Sequence, residues 1–192
     1  MRGFRTRPRY SGPVAAPDLD LWLPDPQVRI RHGRVARADP ERLWEAAGTV
    51  SIRDAPRLGR VVRWRIPGTS TDEPFRRLFR RYPFTVLTEG AACSVSGLCG
   101  RIWTVQRDYP RISGPDEFLG WAQPGTVRVL FAHWVEPAAE NGGSALMSEA
   151  RVQPVDRRAR VRTRALWTLV ARFERLIGGE ALEVAARRAE GA

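Results

Sequence analysis

The chain contains two histidines, His32 and His133, and both fall in runs of alternating residues that read as strands. Across 126–137, Val127, Val129, Phe131, His133 and Val135 share one face, with Arg128, Leu130, Ala132, Trp134 and Glu136 on the other. An imidazole among apolar neighbours could orient a ligand or act as acid or base, because its ordinary pKa lies near working pH. The competing role is a hydrogen-bonded structural histidine. His32 shares its strand face with Val28 and Ile30 and carries the same two alternatives. Glu149 and Arg151 are separated by one residue, so they lie on one face of one strand. They could pair with each other, pair with the arginines of a following helix, or form a polar floor that anchors a ligand's carbonyl. Met147 on that face would then be cavity wall or core. His133 and Glu149 are therefore the candidates for catalysis.

Trp44, Trp103, Phe131, Trp134, Trp167 and Phe173 are the aromatic stock for a pocket or a core, and strand parity sets Trp134 opposite Phe131. The sequence has no Ser-His-Asp order, phosphate loop, dinucleotide fingerprint or cluster of metal ligands, so neither a cofactor nor a metal is expected. Cys93 and Cys99 lack CxxC spacing and read as reduced strand or core cysteines. Arg157, Arg158, Arg160, Arg162 and Arg164 crowd the start of the last helix, where positive charge opposes the helix dipole. That suits an anionic ligand, a membrane phosphate or an acidic partner; a solvated face is the plainer alternative.

These residues need elements to position them. Residues 1–26 carry prolines at 8, 13, 17, 24 and 26 and read as an irregular lead-in, with Leu21, Trp22 and Leu23 available to dock it. The domain proper spans 27–190. A first strand covers 28–37. Asp39-Pro40-Glu41 starts a helix through Leu43, Trp44 and Ala47, and Asp54-Ala55-Pro56 repeats that signal for a second. Asp72 is expected to cap a short third helix with Phe75, Leu78 and Phe79. Strands follow at 84–90, 94–103, 126–137 and 144–154, with a further short one at 117–121. Asp156 caps a long last helix whose stripe includes Leu166, Leu169, Val170, Phe173, Leu176 and Ile177, interrupted at Gly178-Gly179. This order predicts an α+β, helix-grip fold: a curved antiparallel sheet wrapped around the long C-terminal helix, with short helices after the first strand. A cavity between sheet and helix suits a small molecule.

The net charge is +11, yet all 32 basic residues are arginine, a pattern that codon bias would also produce. The arginines are spread along the chain without an aromatic RNA-binding signature, which argues against nucleic acid. No apolar run is long enough to span a membrane and no apolar segment follows the basic N-terminus, so the chain reads as cytoplasmic. A homodimer is left open.

Several motifs, in their order, are similar to those of the SRPBCC (START-like) superfamily, and within it the bacterial group of polyketide cyclases, dehydrases and lipid-transport proteins. They are Ala38-Asp39-Pro40-Glu41 with Leu43-Trp44, Gly100-Arg101-Ile102-Trp103, Glu149-Ala150-Arg151, Pro154-Val155-Asp156, Trp167 and Leu176-Ile177. The resemblance covers roughly 28–190. Leu166-Trp167 stands where many relatives have an aromatic-Trp pair. The resemblance implies a helix-grip fold and a hydrophobic ligand such as a lipid, polyketide or aromatic metabolite. The ligand-contacting set expected on this basis is Trp44, Trp103, Val129, Phe131, His133, Met147, Glu149, Arg151, Trp167, Val170 and Phe173. Two rivals remain: an aromatase/cyclase-like enzyme using His133 or Glu149, and an arginine-rich module that binds an acidic partner and has a solid core.

Overall fold

The computed structural model describes residues 16–104, 109–138, 142–177 and 179–191, with the side chains of Arg65 and of 169–177 outside that description. Its elements are β1 (Val28–Ala36), α1 (Pro40–Thr49), a 3-10 turn (Ile52–Asp54), α2 (Pro56–Arg65), α3 (Phe75–Leu78), β2 (Thr85–Glu89), β3 (Cys93–Gly100), α4 (Pro115–Leu119), β4 (Val127–Pro137), β5 (Ser144–Pro154), α5 (Arg157–Ile177) and α6 (Glu180–Glu190). The fold is α+β. Its antiparallel sheet has five strands in the order β1-β5-β4-β3-β2, so the first strand pairs with the last. No helix among the described residues is long and apolar enough to cross a membrane.

Local chemistry explains the clearest boundaries. Asp39 is extended, and its carboxylate accepts from the Arg42 amide at 2.7 Å, while Pro40 occupies the first turn without wasting a donor. Asp156 does more. Its Oδ1 accepts from the Ala159 amide at 2.7 Å and its Oδ2 from the Gly125 amide at 2.6 Å, which ties the start of α5 to the turn before β4. Those two amides hold its carboxyl below the usual range.

Three expectations need correction. Asp54 does not cap α2. It closes the 3-10 turn by accepting from the Ser51 amide at 2.8 Å and hydroxyl at 2.7 Å, and it pairs with Arg188. The free amides of α2 are met from a distance instead, by Glu180 at the start of α6, which accepts from Arg57 and Leu58. Asp72 likewise stands short of α3, whose N-cap is Pro74. Residues 117–121 do not form a strand. Pro115-Asp116-Glu117 places proline and acidic residues in a first turn, and Glu117 accepts from the Ser113 amide and hydroxyl, so the segment closes as α4.

Both faces of the sheet are covered. On one face, Ala36, Val135 and Leu146 pack with Leu43 and Trp44 of α1 and with Leu182, Ala185, Ala186 and Ala189 of α6. The small alanines let α6 lie close against α1 and β1. Further along the same face, Val127, Val129, Val152 and Ala159 of α5 form a second cluster. As the expected interruption at Gly178-Gly179 implies, α5 ends at Ile177 and α6 begins at Glu180, and each covers its own part of the sheet. The opposite face is closed by the lead-in and by α4. Leu19, Trp22, Leu23, Ile112 and Phe118 bury Val95, Leu130, Ala132 and Trp134. Trp22 and Leu23 dock as their apolar character suggests, but Leu21 remains 64% exposed and Leu19 takes its place. Gly97 permits this closeness, since a Cβ there would stand 2.5 Å from the Phe118 ring.

Candidate functional site

A cavity of about 490 Å³ lies between the first sheet face and α1, α2, α3 and α6, with Trp167 of α5 in its wall. Most of that wall is apolar. Ile30, Phe131 and Ala150 reach it from the sheet, and Val50, Leu58, Val62, Phe75, Phe79 and Leu182 from the remaining sides. Val61 and Trp64 of α2 also line it while staying 40% and 67% exposed, which places α2 at the rim.

One polar row crosses this wall. The register pairs His32 of β1 with Ser148 of β5, Ser148 with His133 of β4, and His133 with Ser94 of β3. All four side chains line the cavity. Directly opposed residues of antiparallel strands share a face, so the row His32–Ser148–His133–Ser94 runs across the strands as one band of hydrogen-bonding groups. Among the described residues, neither the His133 imidazole nor the Ser148 hydroxyl has a hydrogen-bond partner. His133 instead touches the Phe79 ring, with centroids 4.8 Å apart, within a group that also holds Phe84 and Phe131. Burial among these rings pushes its pKa down to about 4. The ring is therefore neutral at pH 7, one nitrogen a donor and the other an acceptor.

The structure divides the expected ligand-contacting residues. Trp44, Phe131, His133 and Trp167 line the cavity. Val129 is on the same sheet face but lies beyond the cavity, buried with Leu98 and Ala159. Trp103 is not in the wall either. Gly100, with φ at 140°, ends β3 before Trp103 is reached, and the Arg162 guanidinium covers its ring at 5.7 Å. Val170 and Phe173 belong to α5, but their side chains lie outside the described residues.

Met147, Glu149 and Arg151 face the other side of the sheet, because it is Ser148 and Ala150 that look into the cavity. Glu149 and Arg151 do pair with each other, at 2.6 Å and almost completely buried, and among the described residues neither bonds to a helix arginine. Arg151 also donates to the Leu23 carbonyl at 3.0 Å and to Asp20, while Arg29 reaches Glu149 at 2.8 Å. The hydrogen bond from Arg151 holds the Asp20 carboxyl below its usual range. This network anchors the lead-in, and Glu149 has no access to the cavity as an acid, base or ligand contact. Ser94, Ser148, Ala150 and Arg76 are cavity residues that sequence reasoning missed. Within-strand alternation alone could not reveal the three strand residues, because their orientation depends on the register between strands.

Among the described residues no group of His, Cys, Asp and Glu could hold a metal ion. No family model matches the chain, and no curated protein matches it. One solved structure it is similar to is that of TTHA0849 from Thermus thermophilus, at 13% identity and a TM-score of 0.33, covering 85% of this chain and 98% of that one.

Proposed function

We propose that the chain is a helix-grip, START-like domain that holds a small, largely apolar molecule in the cavity, with the His32–Ser148–His133–Ser94 row fixing its orientation. The observation that carries this reading is the combination of an apolar wall with one polar band whose His133 and Ser148 groups lack protein partners among the described residues. Buried polar groups are normally hydrogen-bonded, so such a band suits a ligand that supplies the missing partners. Affinity comes chiefly from apolar area at ~25 cal/mol per Å², and the band contributes selectivity. The chemical range is a lipid, polyketide or aromatic metabolite bearing a carbonyl or hydroxyl. An arginine-rich module needs no cavity of this size, and the cavity weighs against it.

A cofactor-free proton-transfer enzyme of the aromatase/cyclase kind is the second reading, favoured by His133 standing in the cavity without a hydrogen-bond partner. Its pKa of about 4 makes it a weak base, better suited to hydrogen bonding than to carrying a proton at neutral pH. Native mass spectrometry under gentle and denaturing conditions, followed by titration with an uncharged apolar fluorophore, tests the binding reading. Saturable binding displaced by neutral apolar competitors supports it; a folded protein that never saturates sinks it. Turnover that is lost in His133→Ala while binding persists would move the assignment to the enzyme.

A further inference from the structure

Two further buried groups of the cavity wall are donors without acceptors. Trp44 of α1 is 7% exposed, and among the described residues its indole Nε1–H has no hydrogen-bond partner. Arg76 of α3 has a buried Nε–H in the same condition. The two are adjacent, since the Arg76 guanidinium sits 5.0 Å from the centre of the Trp44 ring, and both belong to the cavity wall. The charge of Arg76 is also poorly matched. The carboxylate near it, Glu89, stands 3.8 Å away, and the Glu89 Oε1 atom is already taken by Arg80. An indole N–H and a guanidinium can only donate. What these two N–H groups lack is an acceptor, and because one carboxylate, Glu89, is shared between Arg76 and Arg80, the surplus positive charge favours an anionic one.

We propose that Trp44 and Arg76 form a carboxylate-binding subsite of the cavity, and that its ligand is an apolar chain or ring system ending in a carboxylate. This rests on the ligand-binding reading of the same cavity. The planar guanidinium, steadied against the indole face, offers a paired-donor geometry that suits a carboxylate better than a lone carbonyl. The His–Ser row then serves the neutral oxygens of the ligand body, and the donor pair serves its acidic end.

Binding of dodecanoate, its methyl ester and dodecan-1-ol, all below self-association, separates the possibilities when measured by displacement of an uncharged apolar fluorophore. The expected result is that dodecanoate binds at least about tenfold more tightly than the ester or the alcohol, as charge-assisted hydrogen bonds allow. Trp44→Phe, which removes only the N–H and part of the ring, and Arg76→Met, which keeps the stem, should each bring dodecanoate down towards the ester. The ratio of dodecanoate to ester affinity, which a general loosening of the wall does not change, should fall towards one in both variants. Equal affinity of all three ligands for the wild type overturns the carboxylate subsite and leaves the cavity reading standing. An ester as tight as the acid, with both weakened by Trp44→Phe, overturns the assignment of charge. No displacement by any of the three, from a protein that does not bind the fluorophore, overturns both readings.

Discussion

Ala150→Leu should stabilise the protein, and the sign of that change separates an open cavity from a packed core. Ala150 lies on the inner face of β5, paired with Ile30 on one side and Phe131 on the other, and its methyl borders the void. Leucine adds three carbons. At about 0.8 kcal/mol per buried carbon they contribute roughly 2.4 kcal/mol, from which the rotamer entropy of leucine removes about 0.5–1 kcal/mol. The net is about 1.5 kcal/mol of added stability, or roughly 3–6 °C in Tm for a chain of this length. In a solid core the same carbons would force neighbours off their rotamers and cost about 1–3 kcal/mol. Urea unfolding of wild type and variant, with unchanged m-values, measures the difference. Destabilisation by more than about 1 kcal/mol would refute the claim that the space beside Ala150 can accept atoms. Ligand affinity should fall in the same variant, because the added side chain occupies ligand volume.

Other perturbations test the surrounding structure. Because the pKa of His133 is about 4 when folded and its ordinary value is 6.5, the unfolded chain binds the extra proton between those values. Wild type should therefore lose about 3 kcal/mol relative to His133→Gln as pH falls from 6.5 to 4, with no difference above about pH 7; parallel pH–stability curves would contradict the buried neutral ring. Arg151→Leu leaves Glu149 buried with Arg29 alone and should cost about 3 kcal/mol in urea unfolding. It should also speed amide exchange in residues 19–23, and unchanged exchange there would show that the lead-in is anchored by its apolar contacts instead. Asp156→Ala removes acceptors for both Ala159 and Gly125 and should destabilise by about 1–2 kcal/mol, against a few tenths if the carboxylate were merely solvated.

The sequence reveals those features that depend on a single element. Asp39-Pro40-Glu41 reads as a helix start because cap, proline and acidic turn act locally, and Asp156 reads as a cap for the same reason. The alternation in β4 divides Phe131 and His133 from Leu130 and Trp134, and the structure keeps that division. Relations between elements are harder to read. Alternation shows that Met147, Glu149 and Arg151 share a face, but not whether it is the face of His133. The register pairs His133 with Ser148, so odd-numbered residues of β4 match even-numbered residues of β5. A shift of one residue in the connecting loop would have reversed the assignment. Asp54-Ala55-Pro56 resembles a capped start as closely as Asp39-Pro40 does, but Arg188 and Ser51 draw the Asp54 carboxylate away and Glu180 supplies the cap from α6. Such long-range substitution leaves no local signal. At Pro115-Asp116-Glu117 the local signal of a helix start is present in the sequence, directly before the segment 117–121 expected as a strand.

Calorimetric titration of the intact chain with a neutral apolar ligand such as dodecan-1-ol, at several temperatures, addresses the ligand cavity most directly. The expected result is saturable binding at one site per chain with a negative heat-capacity change, abolished in a folded Ala150→Trp variant whose indole fills the space. Heats that never saturate, or the same binding in wild type and Ala150→Trp, would contradict a ligand site between the sheet and its helices.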